Sequence, residues 1–238
     1  MERTGEGDPA QVVPLLWRQG TVVGRTGLTV DAVVTAGCEL ADEGGFAAVS
    51  MRKVAERLGR GAMTLYVHVP NRAVLVDLMV DAAFGEVSYD ASGDDWRAGV
   101  RTIVETNRAL LTRHPWLLDV DTSRPPLGPG TIAKYDAELA LLAATGLPDV
   151  EVDQALTVLL DLVRSGVRRV LAADAQAEGE WWAVAGPLLA QLMDPADFPF
   201  ASRVGQAAGE EYGAASAPDR ALDFAVETLV AGLETRLP

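Results

Sequence analysis

Apolar residues recur every three or four positions along most of the chain, the spacing that places them on one face of an α-helix. Thr29 can cap the first clear helix, and Gly44-Gly45 can end it. The apolar stripe of this predicted helix consists of Leu28, Ala32, Val33, Ala36 and Leu40.

Three shorter helical patterns follow. Ser50 is a natural N-cap for a helix that ends at Gly59, and a third helix is predicted at 62–67. Pro70-Asn71 breaks the pattern before a fourth helix, which runs from Arg72 to Glu86. Two short helices that meet at a glycine form a helix-turn-helix pattern, here at about 50–69.

The remainder of the chain also shows helical periods without strand signals, so the predicted fold class is all-α. The polar stretch Ser88–Asp95 suggests a boundary between an N-terminal helix-turn-helix domain, 27–87, and a larger C-terminal helical domain, 88–238. Residues 1–26, rich in Gly, Pro and charge, are expected to be a flexible arm in which Val12–Trp17 can dock on the body. Further helices are predicted at Trp96–Arg113, Thr131–Thr145, Val150–Ala173, Glu180–Met193 (interrupted at Gly186-Pro187) and Pro218–Leu237, with a mobile loop at Gly205–Ala217.

The predicted helix Val150–Ala173 is apolar over a wide arc. A helix of this kind is buried from two sides, so we expect it to contribute to a core and to a subunit interface.

Charge changes the interpretation of the N-terminal domain. The chain has a formal net charge of −14, and residues 88–238 contain 12 positive and 23 negative residues. Between Ser50 and Arg72, by contrast, five positive residues face one negative residue, a local net charge of +4. A basic region on a helix-turn-helix pattern is typical of DNA binding, whereas the acidic C-terminal part would repel DNA.

Composition excludes several other classes of protein. No apolar run approaches the length of a membrane span, and the N-terminus lacks the pattern of a secretory signal. The single cysteine, Cys38, fits a reducing cytoplasm and is expected to be a buried small apolar residue. No metal-ligand cluster, catalytic arrangement or phosphate-binding glycine loop stands out, so we expect no metal, cofactor or enzymatic activity.

The helix-turn-helix residues have assignable chemistry. Arg52 can bind a guanine or a phosphate, while Thr64 and Tyr66 can donate hydrogen bonds to phosphates. Lys53 and Arg72 suit phosphate positioning, and either of two side chains could touch a thymine methyl group: Ala62 and Met63.

Three segments then carry a resemblance to a known family: AGCELADEGG at 36–45, SMRKVAERLG at 50–59 and TLYVHVPNR at 64–72. Residues 27–87 resemble the N-terminal domain of the tetracycline-repressor (TetR) family of bacterial transcriptional regulators. In the family pattern the positions at or near DNA are held here by Met51, Arg52, Ala62, Thr64, Tyr66, His68 and Arg72. The chain departs from that pattern at Gly61, Ala62 and Met63, which offer few polar groups to bases, and so it is expected to read DNA partly through shape.

The C-terminal part resembles the family's regulatory domain more loosely, through LLTRHPW at 110–116, RPPLGP at 124–129 and Leu222–Glu234. The resemblance implies a homodimer joined by a four-helix bundle of Val150–Ala173 and the last helix. It also implies a repressor that a small-molecule effector releases from a palindromic double-stranded DNA operator.

The effector pocket is the least determined site. Aromatic and titratable residues of the C-terminal part are candidates to line it, although aromatic residues at helical spacing more often fill a core. The alternative function is a helical small-molecule binding protein whose N-terminal domain no longer reads DNA sequence. The candidate effector residues are Trp96, His114, Trp116, Tyr135, Asp161, Trp181 and Trp182.

Overall fold

The computed structural model describes residues 2–20, 27–89, 95–173 and 175–237, and these are almost entirely helical. The helices are α1 Pro9–Leu16, α2 Val30–Gly44, α3 Met51–Arg57, α4 Ala62–Tyr66, α5 Arg72–Phe84, α6 Trp96–Arg113, α7 Pro129–Ala143, α8 Asp149–Ala172, α9 Ala175–Leu192, α10 Pro199–Tyr212 and α11 Pro218–Glu234. Short 3-10 turns lie at Phe46–Ala48 and Pro115–Asp119, and two-residue strands at β1 Glu2–Arg3 and β2 Val120–Asp121. The all-α prediction is confirmed.

The N-caps explain where the helices of the N-terminal region begin. The side chains of Thr29, Ser50 and Asn71 accept hydrogen bonds from backbone N–H groups at the starts of α2, α3 and α5. Each bond satisfies a donor that the first turn of a helix leaves unpaired.

The chain divides into two compact units, Met1–Leu160 with Arg236–Pro238, and Asp161–Thr235. In the first unit α5 is the central element, since its residues Val74–Asp81 are all buried. α2 and α7 both pack against α5, and α6 packs against α7. In the second unit Leu222 of α11 lies against Gly166 of α8, where a β-carbon would come within 3.0 Å of it.

Residues 2–20 of the expected flexible arm have regular contacts with the body, and Val12–Trp17 docks there as expected. Asp8 caps α1, Pro9 occupies its first turn, and Val12 and Leu16 are buried. β1 pairs in parallel with β2, Glu2 opposite Val120 and Arg3 opposite Asp121. The apolar side chains of α1 and the backbone groups of β1 thus have partners in the body of the protein. Residues 1 and 21–26 of the predicted arm, and 90–94 of the predicted linker, lie outside the described residues.

Two predictions for the second unit are also corrected. The loop expected at Gly205–Ala217 is helical as far as Tyr212, and α9 continues through Pro187 without interruption. A β-carbon at Gly209 would come within 2.9 Å of the Trp182 ring. Gly209 therefore lies within α10 and leaves space for the Trp182 side chain, although the sequence suggested a loop at this position.

Candidate nucleic-acid interface

A small apolar core holds α3 and α4 together. Val54 and Ala55 of α3 and Leu65 of α4 are at most 1% exposed. Gly59 supplies the turn between the two helices with a φ of +63°, a conformation that glycine adopts without strain. Leu65 therefore points inward, and this fixes which side of α4 faces outward.

The outward side of α4 is unusually apolar for an exposed surface. Met63 is 79% exposed, Val67 is 82% exposed and Tyr66 is 44% exposed, while Ala62 and Thr64 are half-buried. The fold does not bury these side chains, although burial of a large apolar side chain is worth roughly 1.5–3 kcal/mol. A surface of this composition is suited to contact a partner.

α3 contributes positive charge beside this surface. Arg52 and Lys53 are both exposed, and Arg52 Nη1 lies 3.4 Å from Glu56 Oε1. Exposed ion pairs of this type contribute only about 0–1 kcal/mol, so an incoming phosphate or guanine can compete for the guanidinium. The backbone N–H of Lys53 donates to Ser50 Oγ, the N-cap of α3.

Two positive residues of the basic region have structural partners. Arg57 donates to Glu43 and to Glu39 of α2, which raises its pKa mainly through the bond to Glu43. Arg72 donates from Nε to the Val49 carbonyl at 3.0 Å, pairs with Glu2, and lies 4.7 Å above the Phe46 ring. Both guanidinium groups brace the fold.

Two residues predicted to contact DNA, Arg72 and Met51, also make contacts within the fold. Arg72 is committed to internal partners, and burial lowers its pKa. Met51 is 6% exposed and its side chain belongs to the core. Met51 therefore lies away from solvent, whereas 32% of the Arg72 side chain is exposed, and a DNA contact from either residue stays a prediction. His68 lies half-buried at the end of α4, where its backbone N–H donates to the Leu65 carbonyl.

The seven residues proposed for the effector pocket are divided between the two units. Trp96 and Trp116 are buried in the first unit, and Trp116 Nε1 donates to Asp42 at 2.8 Å. Tyr135 is exposed and donates to Asp153 at 2.7 Å, and Asp161 is also exposed. Trp181 and Trp182 contact each other on α9 in the second unit.

His114 instead joins the N-terminal helices to α6. Its Nδ1 lies 2.8 Å from Asp42 Oδ1 of α2, and its Nε2 lies 3.0 Å from Glu86 Oε2, just beyond α5. Burial by itself lowers the pKa of His114, but the hydrogen bonds and charges of Glu86 and Asp42 together raise it above its ordinary value. The imidazole is thus a structural junction in this arrangement.

Sequence reasoning missed a buried polar cluster made by Tyr89, Asn107, Lys134 and Glu138. Lys134 and Glu138 of α7 form an ion pair at 2.6 Å and are 7% and 1% exposed. The same Glu138 oxygen accepts from Tyr89 at 2.6 Å and from Asn107 at 2.7 Å. A lysine and a glutamate four residues apart on a helix usually form a solvent-exposed pair, so the sequence pattern does not indicate that this pair is buried.

The described residues contain no group of side chains able to hold a metal ion. Among the described helices, none is both long and apolar enough to cross a lipid bilayer.

Comparison with known families decides the identity of the chain. Residues 33–79 match the model described as "Bacterial regulatory proteins, tetR family". Residues 90–237 match the model described as "Tetracyclin repressor-like, C-terminal domain". The chain belongs to the TetR family. The resemblance inferred from sequence is confirmed, and with it the assignment as a ligand-responsive DNA-binding regulator.

Two relatives within the TetR family illustrate the range of similarity. The HTH-type transcriptional repressor DrrR1 of Streptomyces coeruleorubidus is 35% identical over 210 residues, which cover 83% of this chain and 77% of the relative. The tetracycline repressor of class A from transposon 1721, of Escherichia coli, is 26% identical over 89% of this chain and 93% of its own.

Solved structures of the TetR family share the fold. ActR of Streptomyces coelicolor in complex with (S)-DNPA matches with a TM-score of 0.72 and 25% identity, over 89% of this chain and 99% of that one. A second ActR structure, in complex with actinorhodin, matches with a TM-score of 0.70 and 24% identity over 88% of this chain and 97% of that one.

Proposed function

We propose that this TetR-family chain binds a palindromic operator as a homodimer, with α4 of each protomer in the major groove. The observation that carries the proposal is the outward surface of α3 and α4. Arg52 and Lys53 of α3 and Met63 and Tyr66 of α4 are exposed, and the buried Leu65 anchors α4 from its inner side. For the α4 helices of two protomers to enter successive major grooves on one face of the duplex, the half-sites must lie about 34–36 Å apart.

Each exposed side chain has a role that matches its chemistry. Arg52 can form two parallel hydrogen bonds with a guanine, and Lys53 suits a phosphate. Thr64 and the Tyr66 hydroxyl can donate to phosphates, while Ala62 and Met63 suit a thymine methyl group. His68 lies at the end of the same helix and completes the proposed contact surface.

The test begins with selection of operator sequences from a random duplex library, followed by fluorescence anisotropy. We expect a palindrome to be enriched, and the double variant Arg52→Ala/Tyr66→Ala to lose about 10-fold or more in operator affinity. Arg101→Ala is the matched control, because Arg101 is another exposed arginine paired with a carboxylate, Asp95 at 3.7 Å. Equal affinity of the wild type for the palindrome and for scrambled duplex would favour the alternative of a protein that no longer reads sequence.

Lys53 allows a finer test of the phosphate contacts. Lys53→Ala should weaken binding to all sequences similarly and reduce the slope of log affinity against log salt concentration by about one. An unchanged slope would remove Lys53 from the set of phosphate contacts.

For the effector, we propose recognition at the cluster of Tyr89, Asn107, Lys134 and Glu138. A buried ion pair is weak evidence for stability, because desolvation of the two charges offsets their attraction. Its position in the region that matches the tetracyclin repressor-like C-terminal domain supports a role in ligand recognition. Lys134, Tyr89 and Asn107 all donate to one Glu138 oxygen, so an acidic ligand that displaces this carboxylate would meet a cation and two hydrogen-bond donors.

Actinorhodin, with which ActR was crystallised, is the first probe. We expect it to release the wild-type protein from the selected operator, as measured by a fall in anisotropy. The variant Lys134→Met/Glu138→Gln keeps the volume of the pair without its charges and should bind the operator but not respond. Equal release of both proteins would exclude the cluster as the effector site. No release of the wild type would exclude actinorhodin as an effector.

The proposal involves no catalytic step, which agrees with the description of its relatives as transcriptional repressors and regulators. A regulator of this kind acts on DNA in the bacterial cytoplasm.

A further inference from the structure

Residues 2–20, which we call the strap, lie before the first residue of either family match. The strap is nevertheless built into the first unit. β1 pairs with β2, and the Thr4 N–H continues that pairing by donating to the Asp121 carbonyl at 3.0 Å. The Thr4 side chain is completely buried, and its hydroxyl donates to the Arg124 carbonyl at 2.7 Å.

A second set of contacts ties the strap to α5. The Gly5 N–H donates to Asp77 Oδ1 at 2.8 Å, and the Asp77 side chain is itself buried. A β-carbon at Gly7 would lie 3.3 Å from the side chain of Val74, so the strap backbone passes close against the helix. Burial of a polar group costs free energy unless the group is hydrogen-bonded, so the bond from Gly5 to Asp77 favours this position of the strap on α5.

The strap then reaches two further elements. Trp17 Nε1 donates to the Leu127 carbonyl at 2.8 Å, just before α7. Arg18 Nε donates to Asp31 of α2 at 2.8 Å. The strap therefore contacts the start of the N-terminal domain, α5, and the segment between β2 and α7.

One chain of contacts leads from the strap to the DNA-reading helices. Glu2 pairs with Arg72, and Arg72 Nε donates to the Val49 carbonyl. Val49 directly precedes Ser50, the N-cap of α3. The guanidinium of Arg72 thus links β1 to the residue from which α3 begins.

The charge of the strap argues against a direct DNA contact. Glu2, Glu6 and Asp8 outnumber Arg3 and Arg18, which leaves a net charge of −1. N-terminal arms that bind nucleic acid carry a net positive charge, opposite to that of the strap.

We propose that the strap is a positioning element for operator binding: it fixes α5 between the segment at 120–127 and the N-terminal domain, and through Glu2 and Arg72 it fixes the start of α3. The proposal rests on the operator binding proposed above. Without the strap, α3 and α4 sample more positions, and fewer of them match the two half-sites at once. Operator affinity then falls, while affinity for unrelated DNA, which depends on charge alone, is retained.

The test compares three strap variants of the full-length protein with the wild type. They are a deletion of residues 2–7, Thr4→Val and Glu2→Gln. Glu6→Gln is the matched control, since it removes the same charge from an exposed position of the same segment. Hydrogen exchange at the Thr4 and Gly5 amides reports release of the strap in the two point variants, and anisotropy measures binding to the selected palindrome and to a scrambled duplex.

We expect release of the strap to weaken palindrome binding by about fivefold or more, with less than about a twofold change for the scrambled duplex. Glu6→Gln should match the wild type on both duplexes. A released strap with unchanged palindrome affinity would show that it only stabilises the fold, and an equal loss on both duplexes would show that it contacts DNA. Either result overturns the strap proposal alone, whereas failure of the wild type to select any palindrome overturns the proposed function and this inference with it. If the deletion does not fold, the two point variants decide.

Discussion

The polar side chains of α3 and α4 and those gathered around α7 are used in opposite ways. Arg52 and Lys53 are exposed, and their charged groups contribute little to the stability of the fold. Lys134 and Glu138 are buried, and the Glu138 oxygen that Lys134 contacts also accepts from Tyr89 and Asn107. Substitutions of the exposed residues Arg52 and Lys53 should therefore change DNA binding with little effect on stability, and substitutions in the buried cluster should first change stability.

The largest expected effect comes from breaking the buried pair. Lys134→Met leaves the Glu138 carboxylate buried without its cation, which should lower the free energy of unfolding by about 3–5 kcal/mol. Burial lowers the pKa of Lys134 in spite of Glu138, which shows how strongly the site disfavours an isolated charge. Urea unfolding measures the effect as a fall in the midpoint at constant slope.

The double variant Lys134→Met/Glu138→Gln is the control for that measurement. It removes both charges, so it should recover most of the lost stability. If Lys134→Met were as stable as the wild type, the cluster would be open to water in solution. Its charged groups would then be no more buried than those of Arg52 and Lys53 on α3.

The next largest effect on stability is expected from a buried residue of α4, compared with an exposed residue of the same helix. Leu65 is fully buried and Met63 is 79% exposed. Leu65→Ala should cost about 2–5 kcal/mol of unfolding free energy because it leaves a cavity beneath α4. Met63→Ala should stay within about 0.5 kcal/mol of the wild type in the same thermal or urea unfolding experiment. A comparable loss in both variants would show that Met63 packs within the fold and is no contact for DNA.

The helices of the N-terminal domain could be predicted because their signals are local. Ser50 and Asn71 cap the helices that their sequence positions indicate, and Gly59 marks the turn. The pairing of β1 and the helix α10 were not predicted, for different reasons. A two-residue strand has no measurable period, and glycines such as Gly209 favour a loop in the sequence although the Trp182 ring fills the space beside Gly209.

The candidate site could be predicted only in part, for a physical reason. Exposure of Arg52 and Lys53 follows from helical periodicity around the buried Val54. The partner of Arg72, by contrast, is Glu2, and no local pattern connects residues 70 positions apart. The burial of the Lys134–Glu138 pair likewise depends on how α6 and α7 pack, which one sequence does not determine.

The smallest effect concerns His114, which joins α2 to the residues just beyond α5 and should make stability depend on pH. Asp42 of α2 and Glu86 face its two nitrogens, and Arg113 of α6 pairs with the same Glu86 at 3.3 Å. The nearby Cys38 thiol stays protonated, since burial and then Asp42 raise its pKa to about 12. Because these carboxylates raise the pKa of His114 above its ordinary value, the folded state binds the proton more tightly than the unfolded state.

The stabilisation from His114 is accordingly complete below an unfolded-state pKa of about 6.5 and is lost as pH rises through the higher folded-state value. Thermal unfolding from about pH 6 to pH 9 should show the stability difference between the wild type and His114→Gln shrinking with pH. Glu86→Gln should reduce that pH dependence without abolishing it, because Asp42 remains. A difference that stays constant over this range would mean that the imidazole holds α2 and α6 together as a neutral hydrogen-bonding group, and that its charge contributes nothing to the junction.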